Sequence, residues 1–158
     1  MITISDILFP KHILLDLEDD TKEHLVERIA EKLKKDPRVT DWEQFYSGLQ
    51  KGTSCMSKEN GSVLCIAHAR TTAVSAMTMA VGRVAIPPAA TPALPSESGV
   101  ASKLIFVIGV PVALASDYLR IIGALARIFH TDKGETALAA APDPAEFLSS
   151  LRALEVAL

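Results

Sequence analysis

Hydrophobic and polar positions along this 158-residue chain switch repeatedly between a strand-like and a helix-like rhythm, which predicts interleaved strands and helices. Ile13, Leu14, Leu15 and Leu17 form a short apolar run ending in Glu18-Asp-Asp, the pattern of a strand or an extended edge segment. Asp20-Thr-Lys-Glu23 then has capping-box spacing, with Asp20 as the expected N-cap. Leu25, Val26, Ile29, Ala30 and Leu33 make one apolar stripe of the following helix, and Pro37 stops it. Trp42, Phe45, Tyr46 and Leu49 repeat at i, i+3, i+4 and i+7 after Thr40 and Asp41, predicting a second helix with Gly52 as its terminator. Polar Thr53–Asn60 reads as a loop. Val63–Ala67 is wholly apolar apart from Cys65 and reads as a buried strand that ends at His68.

The second half continues the alternation. Ala73–Val84, rich in Val, Met and Thr, reads as a strand, and Ile86–Pro95 with four prolines reads as a mobile loop. Lys103–Val110 is apolar on both faces, as a central, covered strand must be, and Pro111 ends it. A helix from Ser116 is expected to turn Leu119, Ile122, Leu125, Ala126 and Phe129 inward. Glu135–Ala141 reads as a short alanine-rich helix. Asp143-Pro-Ala-Glu146 combines an N-cap, an N1 proline and an N3 glutamate, which opens a last helix through Leu154. No internal repeat or boundary interrupts the series, so the expectation is one domain over residues 1–158. Its expected architecture is a three-layer α/β/α sandwich with a mixed central sheet.

Composition narrows the partners. A net charge of -3 with acids and bases intermixed lacks the basic surplus that nucleic-acid binding requires. Two cysteines ten residues apart, Cys55 and Cys65, have neither a CxxC spacing nor a disulfide-framework density and fit a reducing compartment. Cys65 is expected to be core filler. The start of the chain lacks a basic segment followed by a long apolar run. The longest apolar stretch, Leu104–Ala115, is broken by Gly109 and Pro111 and falls short of the roughly 20 residues needed to span a bilayer. A cytoplasmic protein, not embedded in a membrane, is the expectation.

Candidate chemistry centres on Gly61–Val74. His68 follows the apolar run and Arg70 lies two residues on; strand ends in α/β proteins are where reactive groups collect. An imidazole with a pKa near ~6.5 offers a nitrogen lone pair at neutral pH. His12, His24 and His130 have no metal-ligand spacing and read as surface residues. Neither a Gly-x-Ser-x-Gly elbow nor a nucleotide-binding glycine motif occurs.

Three local words in one order carry a resemblance. Ile13-Leu-Leu-Asp-Leu precedes the first long helix. Ile66-Ala-His-Ala-Arg70 matches the second half of a Gly-x-Ala-Ile-Pro-His motif. Val107–Pro111 with Tyr118-Leu-Arg-Ile-Ile-Gly-Ala-Leu-Ala-Arg127 matches a strand, a proline and a helix that opens His-Leu. The chain resembles the enzyme IIA domain of the fructose–mannitol class of the phosphotransferase system, which includes nitrogen-regulatory paralogues. The resemblance implies that His68 accepts a phosphoryl group from a histidine phosphocarrier protein and passes it to a cysteine of a IIB-type domain, or holds it as a regulatory signal. It implies supporting roles for Arg70, Tyr118 and Lys51, with Lys58 a second approximate match for the family's upstream arginine. No metal and no cofactor are required. Ala67 stands where the family has proline, and Tyr118 where it has a second histidine. The alternative is a IIA-like regulatory module that docks to a transporter or kinase without phosphotransfer.

Overall fold

A computed structural model describes residues 1–85 and 102–158. The proline-rich segment read as a loop lies outside the described residues. Five strands, β1 (Ile13–Leu17), β2 (Thr53–Ser57), β3 (Val63–Arg70), β4 (Thr78–Ala85) and β5 (Ser102–Val110), form one sheet in the order β1-β4-β5-β3-β2. The β1/β4 and β3/β5 pairs are parallel, whereas β4/β5 and β2/β3 are antiparallel. The sheet is mixed, and β5, apolar on both faces, is its centre.

Helices cover both faces. On one side α2 (Lys22–Ala30) and α3 (Trp42–Leu49) bury Leu25, Ile29, Phe45 and Leu49 against Cys65, Ala67, Ile105 and Val107. On the other, α1 (Ile4–Ile7), α4 (Ala115–His130), α5 (Asp132–Ala140) and α6 (Pro144–Val156) close over Leu64, Ile66, Phe106 and Ile108. The alternation of β3 and β5 residues between the two clusters follows from the period of two along a strand. This is the expected α/β/α sandwich. Among the described residues, no helix is long and apolar enough to cross a membrane.

Local signals explain most helix starts. Asp41 accepts the Gln44 N–H at 3.2 Å, and Asp143 accepts the Glu146 N–H at 2.8 Å ahead of Pro144. The cap of α2 falls one residue later than the capping-box reading. Thr21 accepts from the His24 N–H at 3.2 Å, because the Asp20 carboxylate is taken up by the adjacent Thr21 N–H at 2.7 Å.

Four further readings are corrected. Thr53–Ser57 is not loop but the edge strand β2; its polarity reflects an edge with little to cover it. The strand expected over Ala73–Val84 begins only at Thr78. Leu119 is 67% exposed, since it lies about 200° around α4 from Ile121, which anchors the buried seam. His12 is buried rather than on the surface, with Nε2 3.7 Å from Asp36 Oδ2.

The cysteines are a further correction. They are not separate thiols: Cys55 and Cys65 are joined in a disulfide. The antiparallel register sets Cys55 directly opposite Cys65. A separation of ten residues conceals this until the hairpin turn at Gly61, the one described residue with positive φ (91°), is placed. The far end of that hairpin is fastened by a buried carboxylate. Glu135 accepts from Lys58 Nζ at 2.5 Å, from Asn60 Nδ2 at 2.7 Å and from the Ser62 hydroxyl.

Candidate functional site

His68 is the sixth of the eight residues of β3, not the residue after it; the parallel register with β5 carries the strand on to Arg70, opposite Val110. The side chain falls on the face shared with Leu64 and Ile66, beneath the start of α4. There the first turn of the helix lays Tyr118 against it, with ring centroids 4.7 Å apart and planes inclined by 30°. Pro111 and a short 3-10 turn (Val112–Leu114) reverse the chain between β5 and α4, and Leu114 at the N-cap supplies no side-chain cap.

The second wall is backbone. The β2/β3 register, with Thr53 opposite Ala67, continues one step to set Gly52 opposite His68, and the Gly52 carbonyl accepts the His68 N–H at 3.0 Å. A Cβ built on Gly52 lies 2.6 Å from the His68 carbonyl oxygen and 3.5 Å from Nδ1 and Cε1 of its ring. Only glycine allows this approach. The Nδ1–Cε1 edge of the imidazole therefore faces main chain. Partial burial lowers the His68 pKa, and a hydrogen bond of the ring with the Gly52 backbone opposes this less strongly. The imidazole is neutral at neutral pH. Burial pushes the Tyr118 phenol up to about 12, so it is a neutral hydrogen-bond donor.

Arg70 lies on the same face, two residues and about 6.6 Å further along the strand. Its Nε donates to the Val112 carbonyl at 3.1 Å and the residue is exposed, so its charge sits at the rim. Lys51 is not brought to this cluster. It lines a groove of about 220 Å³ with Lys22, Tyr46 and Gln50, between α2 and α3 on the other side of the sheet. Lys58 is committed to Glu135. Val112 in the turn before α4 and Leu119 near the start of α4 are exposed apolar residues. Among the described residues no group of three or more His, Cys, Asp or Glu is placed to hold a metal ion.

The model of the phosphoenolpyruvate-dependent sugar phosphotransferase system EIIA 2 family matches residues 6–153. The chain belongs to this family. Solved structures place the fold with it. The nitrogen regulatory protein IIA-Ntr of Neisseria meningitidis is similar at a TM-score of 0.66 and 23% identity, over 94% of this chain and 98% of that one. IIA mannitol of Escherichia coli is similar at 0.63 and 17% identity, over 91% and 98%. The Escherichia coli complex of enzyme IIA mannitol with phosphorylated enzyme IIB mannitol matches at 0.57 and 19%, over 92% and 97%. No curated protein matches the sequence.

In this EIIA-type chain the structure brings the sequence candidates His68, Tyr118 and Arg70 together at one end of β3. It adds Gly52 as a neighbour of His68, a glycine that in the sequence is indistinguishable from a helix terminator.

Proposed function

We propose that residues 1–158 act as one phosphoryl-carrier domain. The free nitrogen of His68 takes a phosphoryl group from a histidine phosphocarrier protein and hands it to a cysteine of a IIB-type domain, or retains it as a regulatory signal. The observation that carries this reading is the position of the imidazole. It is half-buried and neutral, with its Nδ1–Cε1 edge against Gly52 and its face against Tyr118. In the accepting step the His68 lone pair attacks phosphorus and forms the new N–P bond. The old N–P bond breaks, and its electron pair returns to the donor's imidazole. Such transfers depend on in-line positioning and on donors to the equatorial oxygens. Arg70, the Tyr118 phenol and the N-terminal end of α4 are the candidate donors. Exposed Val112 and Leu119 suit a protein partner at the rim. The IIB partner finds support in the complex of the mannitol proteins, whose fold this chain shares.

The test is incubation with phosphoenolpyruvate, enzyme I and the histidine phosphocarrier, followed by intact mass. Wild type should gain one acid-labile phosphoryl group and His68→Ala none. An unmodified wild type, or a modified His68→Ala, overturns the reading. Tyr118 standing where the resemblance has a second histidine favours one other reading, a regulatory module that docks to a transporter or kinase without phosphotransfer. That reading predicts partner binding indifferent to His68→Ala.

A further inference from the structure

The disulfide and the His68 wall are parts of one ladder. Along β2 the cross-link is three residues from Gly52; along β3 it is three residues from His68. Both pairs lie in the same antiparallel register, about 10 Å apart. β2 is an edge strand that pairs with β3 alone, and Ser54, Cys55 and Ser57 are exposed. Its far end is tied down independently: Lys58 N–H donates to the Ser62 carbonyl at 2.8 Å, and Lys58 Nζ is held by Glu135. Its near end has the Gly52–His68 bond and the link to α3. Between them only Met56 packs into the apolar core, and the covalent bond is what fastens the middle of the strand.

We propose that the Cys55–Cys65 pair is a redox-modifiable clamp that regulates the His68 site by setting how firmly Gly52 is held against the imidazole. The inference rests on the phosphoryl-carrier reading of His68. Cys55 is exposed and Cys65 is 3% exposed, so a reductant engages the pair at Cys55. The co-reactant is a dithiol protein or small dithiol, which supplies both electrons. One of its thiolates attacks Cys55 Sγ, and the Sγ–Sγ bond breaks with its electron pair passing to Cys65 Sγ, which takes up a proton. The second thiol of the reductant then displaces Cys55 as the reductant closes its own disulfide. The fold survives, because the ladder and the Lys58–Glu135 tie remain. The near end of β2 gains freedom, and the wall behind His68 loosens with it.

The experiment compares the full chain under glutathione disulfide and under dithiothreitol, with Cys55→Ser measured in both. Thiol labelling of the denatured protein should count no free thiols in the oxidised wild type and two in the reduced. Hydrogen exchange at the His68 amide should rise about tenfold on reduction while the amides of β5 hold. Phosphorylation by the histidine phosphocarrier should slow about threefold. Cys55→Ser should match the reduced protein in both buffers. Two free thiols under glutathione disulfide, or His68 exchange that ignores the redox state, overturns the clamp. Equal phosphorylation rates in both states also overturn it while leaving the phosphoryl-carrier reading intact. Absence of phosphorylation in either state sinks the carrier reading and with it the regulatory role that rests on it; His68 exchange that still follows the redox state then leaves only the mechanical coupling of the disulfide to Gly52.

Discussion

Tyr118 rests on the His68 imidazole with ring centroids 4.7 Å apart and planes inclined by 30°, its phenol held in the neutral form by burial. The contact divides the residue's work into two parts, packing by the ring and hydrogen bonding by the hydroxyl. Substitution separates them. Tyr118→Phe keeps the ring and should slow phosphorylation of His68 by roughly three- to tenfold, the worth of one neutral hydrogen bond. Tyr118→Ala should slow it further by freeing the imidazole. Tyr118→His supplies a chargeable donor and should speed it. Rapid-quench mass spectrometry with the phosphorylated carrier protein measures all three; a Phe variant as slow as the Ala variant would locate the whole effect in the hydroxyl.

The pH dependence of phosphoryl acceptance follows from His68. Burial lowers its pKa, and the hydrogen bond with the Gly52 backbone raises it by less. The nucleophile is the unprotonated ring, so acceptance should hold its plateau below pH ~6.5, the ordinary imidazole value, and fall only at more acidic pH. The sign is the same for folding. The unfolded chain binds the proton more readily, so this group erodes stability as pH drops below ~6.5. Rates measured from pH 8 down to 5 decide it, and a half-maximum above 6.5 would contradict the burial argument.

Gly52→Ala places a methyl carbon 2.6 Å from the His68 carbonyl oxygen. Backbone cannot yield there as a flexible side chain would, so the α3–β2 turn must shift. The expected cost is about 1–2 kcal/mol in urea unfolding. Phosphorylation should fall more than tenfold, because the displaced carbonyl no longer backs the ring. A variant with wild-type rate and stability would show that the turn relaxes freely.

A second electrostatic element ties the start of the chain to the sheet. Arg38 grips Asp36 through Nε to Oδ1 and Nη2 to Oδ2, both at 2.9 Å, while its Nη1 donates to the carbonyls of Ile7 and Met77. The hydrogen bonds from Arg38 hold the Asp36 carboxyl down at about 2. A depressed carboxyl contributes stability that is present above its unfolded pKa and lost as pH falls through the folded one. Asp36 should supply about 2 kcal/mol at neutral pH that disappears between pH ~4 and ~2. Unfolding of wild type and Asp36→Asn across that range should converge at the acid end.

The buried Glu135 joins α5 to the β2–β3 hairpin. Burial pushes its pKa up, but hydrogen bonds from Lys58, Ser62 and Asn60 outweigh this and leave the carboxyl below its usual range. Glu135→Gln leaves Lys58 facing a neutral amide and should cost about 2 kcal/mol. Thermal unfolding measures the loss. His68 phosphorylation should stay within about twofold, since the disulfide still fastens the hairpin.

The chain alone determined the elements whose rhythm is dictated by burial. The stripe of α2, the α3 face through Phe45 and Leu49, the two-faced β5 and the Asp143 cap of α6 are all legible, because each records one buried face or one local hydrogen bond. The family words around His68 were legible for the same reason: Ile66 and Ala67 must be apolar to carry the histidine out of the core. Tertiary structure decided what depends on register and on approach from a distance. The polarity of Thr53–Ser57 reads as loop until β2 is seen at an edge, and Leu119 reads as core until α4 is rotated onto the sheet. His12 reads as surface until it is seen beside Asp36, and only the packing of α2 and α3 shows that Lys51 lines the groove between them. The union of Cys55 with Cys65 and the seat of His68 against Gly52 are one fact of pairing. A single antiparallel register brings both pairs together, and no local pattern of residues encodes which position will face which.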